Sequence, residues 1–257
     1  MSHPPPLGLW PWRRRGRPLL FGHRGVRGDG PPENTLAAFE RAADEAADAI
    51  ELDVRTCKSG ELVVIHDPTL ARVTEHADVR SVGELGWDEL RRVDIGQGQR
   101  VPLLVDVLEL ARGRRLSVNV EMKRDAPDRT AIVASTARTL DAWDPRHPVL
   151  VSSFDPFMLA GLRLLCRRPR ALLMHRDARW HQRTSGFARP LGAVAVHLER
   201  TLASPATVRR WQRRGLLVNV WTVNDAVEAR DLAAAGVDGI ITDVPRRVRE
   251  ALADRAC

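Results

Sequence analysis

Short apolar runs alternate with longer amphipathic stretches along the 257 residues of the chain. Several runs are continuously apolar and bounded by polar residues, which is typical of strands buried on both faces of a parallel sheet. The pattern predicts eight strands, at Leu19–Gly22, Ala49–Val54, Leu116–Glu121, Val149–Ser152, Ala171–Met174, Ala193–Val196, Leu217–Trp221 and Gly239–Thr242.

The stretches between these strands have the spacing of helices. Leu36, Phe39 and Ala43 form one apolar stripe, and Asn34 or Thr35 is placed to cap that helix. The pattern predicts helices at Thr35–Ala47, Pro102–Arg112, Asp128–Leu140, Pro156–Leu165, Ala178–Arg189, Pro205–Arg214, Asp225–Ala234 and Pro245–Ala253.

Repeated strand–helix units with short connections indicate a parallel sheet. Eight units in about 240 residues fit a closed TIM (β/α)8 barrel. An open doubly wound sheet is the alternative, although the first strand is not followed by the glycine-rich G-x-G-x-x-G motif.

Two segments depart from this rhythm. Residues 60–100 predict a small insertion after the second strand, with an extended run at Glu61–His66 and a short helix near Val82–Val93. Insertions in barrels usually lie at the catalytic end. Residues 1–17, rich in Pro and Arg, are interpreted as an N-terminal extension to a barrel of residues 18–257.

Composition excludes several classes of protein. No apolar run approaches the ~18 residues of a membrane span, and no secretory signal is evident, so a cytoplasmic location is expected. The cysteines lack a C-x-x-C pair, which argues against a cysteine-rich zinc site. The net charge of +7 permits nucleic-acid binding, but the arginines are scattered among acidic residues, so no nucleic-acid partner is expected.

Carboxylates stand on the predicted strands. Glu51 and Asp53 are two residues apart on one strand and therefore point to the same face. Because barrel strands end at one mouth, Glu121 should lie near them. Like charges this close repel unless a cation or a proton lies between them. Oxygen ligands of this kind suit Mg²⁺ or Ca²⁺. A network of ion pairs with arginine is the alternative interpretation.

His23 and His66 follow the first strand and the extended run. Hydrolysis of a phosphodiester needs one group to activate the nucleophile and one to protonate the leaving alkoxide. Two imidazoles that titrate near neutrality could supply both, although a strand-end histidine is often only a structural hydrogen-bonding group. Lys123 is one of only two lysines in an arginine-rich chain, and its compact charge suits a phosphoryl oxygen.

At these residues the chain resembles the glycerophosphodiester phosphodiesterase family, from Leu20 to Leu252. The order and spacing of seven motifs carry the resemblance: His23-Arg24-Gly25, Pro32-Glu33-Asn34-Thr35, Glu51-Leu52-Asp53-Val54, His66-Asp67-Pro68, Glu121-Met122-Lys123, Val220-Trp221-Thr222-Val223-Asn224 and the segment from Gly236 to Asp243.

This resemblance implies a TIM barrel that hydrolyses a small glycerophosphodiester to glycerol 3-phosphate and an alcohol, with a divalent metal ion as cofactor. It also implies a role for each candidate residue: Glu51, Asp53 and Glu121 as metal ligands, Glu33 near or in the metal shell, His23 and His66 as the acid/base pair, Arg24 and Lys123 on the phosphate, and Trp221 lining the pocket.

Two other functions are the alternatives. A lysophospholipase D-like or sphingomyelinase D-like enzyme shares the barrel and the paired histidines, and would make transient contact with lipid. A non-catalytic phosphate-binding barrel would lack a histidine or a metal-binding carboxylate, and this chain has them all. The identity of the leaving alcohol is open.

Overall fold

A computed structural model of the protein describes residues 16–126, 128–177, 188 and 190–253. Within these residues eight parallel strands close into a barrel, which confirms the predicted fold, and one short antiparallel strand is added. The strands are β1 (Leu19–His23), β2 (Ala49–Thr56), β3 (Leu62–Val64), β4 (Ser117–Met122), β5 (Val149–Ser153), β6 (Arg170–Met174), β7 (Ala193–Glu199), β8 (Leu217–Trp221) and β9 (Gly239–Thr242).

The barrel closes through β1, which pairs with both β2 and β9. The remaining parallel strands follow in chain order from β4 to β9. The extra strand β3 runs antiparallel to the end of β2, with Val64 opposite Val54. The predicted extended run is therefore a hairpin strand that starts the insertion at the carboxyl end of the barrel.

Helices alternate with the barrel strands as predicted. They are α1 (Leu36–Asp44), α2 (Trp87–Leu90), α3 (Leu104–Gly113), α4 (Arg129–Asp141), α5 (Pro156–Leu165), α6 (Pro205–Gln212), α7 (Ala226–Ala235) and α8 (Pro245–Ala253). The predicted helix Ala178–Arg189 lies outside the described residues, apart from one position. In the part of the chain that the structure covers, no helix is long and apolar enough to cross a membrane.

The bounds of α1 differ from the prediction for a local reason. Thr35 is the N-cap, because its hydroxyl accepts the amide hydrogen of Ala38. Asn34 is not the cap and has a φ of 58°. The helix ends at Asp44, three residues before the predicted Ala47, because Ala46 takes a φ of 60° that a right-handed helix does not allow.

The predicted helix near Val82–Val93 is instead two short pieces. A 3-10 turn spans Val82–Glu84, and α2 begins after Gly86, whose amide donates to the Glu89 carboxylate. Both pieces pack with β3 in a separate apolar cluster that contains Val63, Leu70 and Leu90. The insertion therefore has its own small core.

Apolar side chains fill the interior of the barrel at the end away from the mouth, here called the lower interior. A cluster formed by strand residues alone includes Phe21, Leu150, Leu217 and Ile241, and each fully buried apolar side chain of this size contributes about 1.5–3 kcal/mol. A larger cluster packs the outer faces of the strands against the helices. Because apolar side chains close the lower interior, the charged groups of the interior gather at the carboxyl ends of the strands.

Candidate active site

A cavity of about 230 Å³ opens at the carboxyl ends of the barrel strands. Most of the residues predicted from the sequence meet here. The predicted residues that line the cavity are His23, Arg24, Glu51, His66, Glu121, Lys123 and Trp221, and they are joined there by Asn119, Phe154, Leu173 and Ile241. Asp53 is buried beside it, and Glu33 lies behind Arg24. The predicted convergence at one mouth therefore holds for the histidines, the carboxylates and the cations.

Three buried carboxylates form the centre of the site. Glu51, Asp53 and Glu121 each offer an oxygen, and these oxygens lie within 4.8 Å of one another. Asp53 and Glu121 are opposite each other in the β2–β4 ladder. Burial raises the pKa of Glu51 well above its usual value, and the negative charges of Asp53 and Glu121 raise it further. Burial also raises the pKa of Glu121.

Asp53 behaves differently because cations surround it. Burial alone would raise its pKa, but the charges of Lys123 and Arg24 hold that pKa well below the usual range. Lys123 Nζ lies 3.2 Å from Asp53 Oδ1 and 2.9 Å from Glu121 Oε1. Arg24 Nε lies 3.0 Å from Asp53 Oδ2, and the Asn34 amide donates to the same oxygen at 3.0 Å.

The donor set fits a hard divalent cation. Three buried carboxylates in one cluster carry more negative charge than Lys123 and Arg24 balance. Burial first, and then the charges of Asp53 and Glu121, raise the pKa of Glu51. A group in that state needs either a proton or a further cation beside it. Oxygen-only ligation of this kind is typical of Mg²⁺ and Ca²⁺ sites.

His23, at the end of β1, is held by a carboxylate. Its Nδ1 lies 2.7 Å from Asp243 Oδ1, and the amide of Asn224 donates to Asp243 Oδ2 at 2.7 Å. Because an ionised carboxylate only accepts hydrogen bonds, Nδ1 carries the proton. The other ring nitrogen, Nε2, then faces the triad, 4.0 Å from Glu51 Oε2.

His66, two residues after β3, has the same arrangement. Its Nδ1 lies 2.6 Å from Asp67 Oδ1, which leaves Nε2 free for chemistry. Burial lowers the pKa of His66 below its usual value, so the imidazole is neutral at neutral pH. Asp67 and Asp243 belong to motifs noted in the sequence, but their roles as partners of the histidines were not predicted.

The turn after β1 explains the position of Arg24. Arg24 and Gly25 have φ values of 53° and 91°. A Cβ atom at Gly25 would lie 2.6 Å from the backbone of Ala38, so only glycine fits there. The tight turn directs the Arg24 amide to Glu51 Oε2 at 3.2 Å and its guanidinium to Glu33 Oε1 at 2.9 Å.

One side of the cavity is aromatic. Trp221, at the end of β8, donates its indole N–H to the carbonyl of His197 at 3.1 Å, which fixes the ring. Phe154 packs edge-on against it, with ring centroids 5.5 Å apart. Phe154 was not predicted, because a single aromatic residue after a strand gives no functional signal. Together the rings form an apolar wall beside the charged centre.

Comparison with known proteins agrees with this geometry. The model of the glycerophosphoryl diester phosphodiesterase family matches residues 23–247. The chain is 31% identical to a glycerophosphodiester phosphodiesterase of Caldanaerobacter subterraneus over 88% of its length and 94% of that protein. A relative from Bacillus altitudinis with the same description is also 31% identical, over 89% of this chain and 95% of that protein.

Solved structures give the same result. A glycerophosphoryl diester phosphodiesterase structure from Silicibacter pomeroyi superposes with a TM-score of 0.84 at 27% identity and covers 96% of this chain and 97% of that one. A phosphodiesterase from Oleispira antarctica, solved with the product sn-glycerol-3-phosphate, has a TM-score of 0.83 at 25% identity, and the match covers 92% of this chain and 97% of that one.

Proposed function

The chain belongs to the glycerophosphoryl diester phosphodiesterase family, and we propose that it uses the described mouth to convert a glycerophosphodiester and water into glycerol 3-phosphate and an alcohol. One observation carries this proposal. His23 and His66, each held by an aspartate, lie around the same cavity as the buried carboxylates of the triad. The product bound to the relative from Oleispira antarctica supports the same product here.

Binding of the phosphate depends on charge. Arg24 and Lys123 line the cavity, and their positive charges suit a phosphodiester anion. Glu51, Asp53 and Glu121 would hold Mg²⁺ or Ca²⁺, which when bound neutralises phosphate charge and makes the phosphorus more electrophilic. Trp221 and Phe154 would pack against the carbon atoms of the alcohol or of the glycerol.

The two histidines divide the proton transfers. Since burial keeps His66 neutral, its Nε2 accepts a proton from the attacking water as the new oxygen–phosphorus bond forms. His23 donates a proton from Nε2 to the leaving alkoxide as the old bond breaks, and Asp243 balances the charge of its imidazolium form. A second transfer through solvent restores both rings.

The test is a substrate panel. The purified protein is treated with EDTA and assayed on glycerophosphodiesters of choline, ethanolamine and glycerol, before and after Mg²⁺ or Ca²⁺ is restored, with an enzymatic readout of glycerol 3-phosphate. We expect release of glycerol 3-phosphate that is lost with EDTA and recovered with one of the ions. Turnover that EDTA does not change would contradict the metal-dependent proposal.

A lipid diester is the second candidate substrate, as in lysophospholipase D-like or sphingomyelinase D-like enzymes. Phe157 favours it, because this side chain lies in the first turn of α5, just after the end of β5, and is 79% exposed. The cavity of about 230 Å³ favours the smaller diester, since pockets for larger ligands span about 300–1,000 Å³. Lysophospholipids in the same panel distinguish the two.

A further inference from the structure

Glu33 is a buried carboxylate that is bound by three arginines. Its side chain is only 9% exposed. Arg24 Nη1 lies 2.9 Å from its Oε1, and Arg72 Nη2 lies 2.7 Å from the same oxygen. Arg27 Nε lies 2.9 Å from Oε2. Although burial opposes the charge, these arginines keep the pKa of Glu33 low, so the group is ionised at working pH.

One of these arginines leads to His66. Arg72 binds Glu33 through Nη2 and the carboxylate of Asp67 through Nε. Asp67 in turn holds His66 Nδ1 at 2.6 Å. Arg72 is 47% exposed, so without the buried carboxylate it could swing into solvent. Glu33 therefore holds the guanidinium of Arg72, and Arg72 in turn holds Asp67, the partner of His66.

A second arginine leads to His23. Arg27 binds Glu33 through Nε, while its Nη1 lies 3.7 Å from Asp243 Oδ1. That same oxygen lies 2.7 Å from His23 Nδ1. The third arginine, Arg24, joins Glu33 to Asp53 of the triad. Through Arg27 and Arg72, the Glu33 carboxylate is thus connected to both histidine–aspartate pairs, and it also binds the Arg24 guanidinium at the phosphate site.

We propose that Glu33 is a positioning residue that holds the two histidine–aspartate pairs in register through Arg27 and Arg72, and that it is not a direct metal ligand. This role rests on the proposed acid/base function of His23 and His66. Glu33 is not among the carboxylates that cluster within 4.8 Å. Loss of its charge leaves three guanidinium groups without their common partner, and the aspartates then lose their restraint.

The chain offers a matched control. Glu45 also has a side chain that is 9% exposed and binds a guanidinium, that of Arg41, at 2.7 Å. It follows the end of α1, and because that helix runs back from the mouth, Glu45 lies on the opposite side of the barrel. Glu45→Gln therefore removes a comparable buried ion pair without touching the mouth.

The experiment measures kcat, KM and Tm on the full chain with saturating Mg²⁺ and a glycerophosphodiester. We expect Glu33→Gln to lower kcat by about 10- to 100-fold, as small misplacements of reacting groups do, with KM changed by less than about threefold. Glu45→Gln removes an ion pair of a buried carboxylate away from the mouth, so it should lower Tm while leaving kcat unchanged. Glu33→Asp should recover part of the lost kcat.

Two further measurements separate positioning from other roles. In an Asp67→Asn background, Glu33→Gln should lower kcat less than in the wild type, because the contacts through Arg72 and Asp67 are already broken there and only those through Arg27 and Asp243 remain to be lost. The Mg²⁺ affinity of Glu33→Gln, measured by calorimetry without substrate, should match the wild type. Multiplicative effects, or Mg²⁺ binding weakened by about tenfold or more, would overturn the proposal.

These experiments distinguish failure of the proposed reaction from failure of the proposed role of Glu33. If the wild type hydrolyses no glycerophosphodiester, the proposed reaction is wrong. If the wild type is active and Glu33→Gln is equally active, the reaction stands and only the role of Glu33 is wrong.

Discussion

Glu51→Gln should make the metal-free protein more stable while removing its activity. Glu51 is a buried carboxylate whose pKa is raised by burial and by Asp53 and Glu121. A glutamine keeps the oxygen that accepts the Arg24 amide at 3.2 Å and removes the charge. Each unit by which the fold raises the pKa of a carboxyl costs about 1.4 kcal/mol of stability once the group is ionised, and the glutamine avoids that cost. About 2 kcal/mol would raise Tm by roughly 4–8 °C in a chain of this size.

The effect has a defined pH dependence. The usual pKa of the glutamate carboxyl is 4.5, and the folded protein holds Glu51 well above it. Between these two values the native state binds more protons than the unfolded state, so the stability of the wild type falls as pH rises. The advantage of the variant should therefore be absent below about pH 4.5 and complete above the folded pKa.

The assay is thermal unfolding of EDTA-treated protein at several pH values, with and without Mg²⁺. Glu109→Gln is the control, because Glu109 is exposed on α3 and its change should alter stability by less than about 0.5 kcal/mol. Mg²⁺ should raise the Tm of the wild type more than that of Glu51→Gln. A lower Tm for metal-free Glu51→Gln at neutral pH would refute the reasoning.

Other predictions concern the catalytic groups. His66→Ala and His23→Ala should each lower kcat by about 10²–10⁴-fold with little change in Tm, and a near-normal rate in either would rule out its acid/base role. Because the pKa of His66 is lowered and a base must be neutral, the acidic limb of the kcat/KM profile should lie below pH 6.5; a limb above that value would contradict this. Asp243→Asn should lower kcat by about 10–100-fold, measured against wild type at the same pH. Lys123→Arg should reduce activity although charge is kept, because a planar guanidinium does not fit between Asp53 and Glu121.

The strands and the position of the chemistry could be predicted because both follow simple periodicities. Continuous apolar runs marked the strands that the barrel buries on both faces. The spacing of Glu51 and Asp53 put them on one face of β2, and parallel strands brought Glu121 beside them. The two-residue period of a strand and the common direction of the parallel strands are enough to place these carboxylates together.

The supporting contacts could not be predicted in the same way. Asp243 is 220 residues from His23 in sequence, and no local pattern reports that their side chains meet. Glu33 could be marked as functional from its motif. Of its three arginine partners, however, Arg72 comes from the insertion, and no spacing in the sequence shows that it meets Glu33 together with Arg24 and Arg27 of the β1–α1 loop. Helix ends such as that of α1 depended on single residues with positive φ, which hydrophobic spacing does not detect.

Crystals of the protein grown with Mn²⁺ and glycerol 3-phosphate would test the central claim most directly, through the anomalous signal of the ion. We predict one ion bound by oxygens of Glu51, Asp53 and Glu121, with the phosphate within hydrogen-bonding reach of both His23 and His66. An ion bound elsewhere, or a phosphate that neither imidazole can reach, would contradict it.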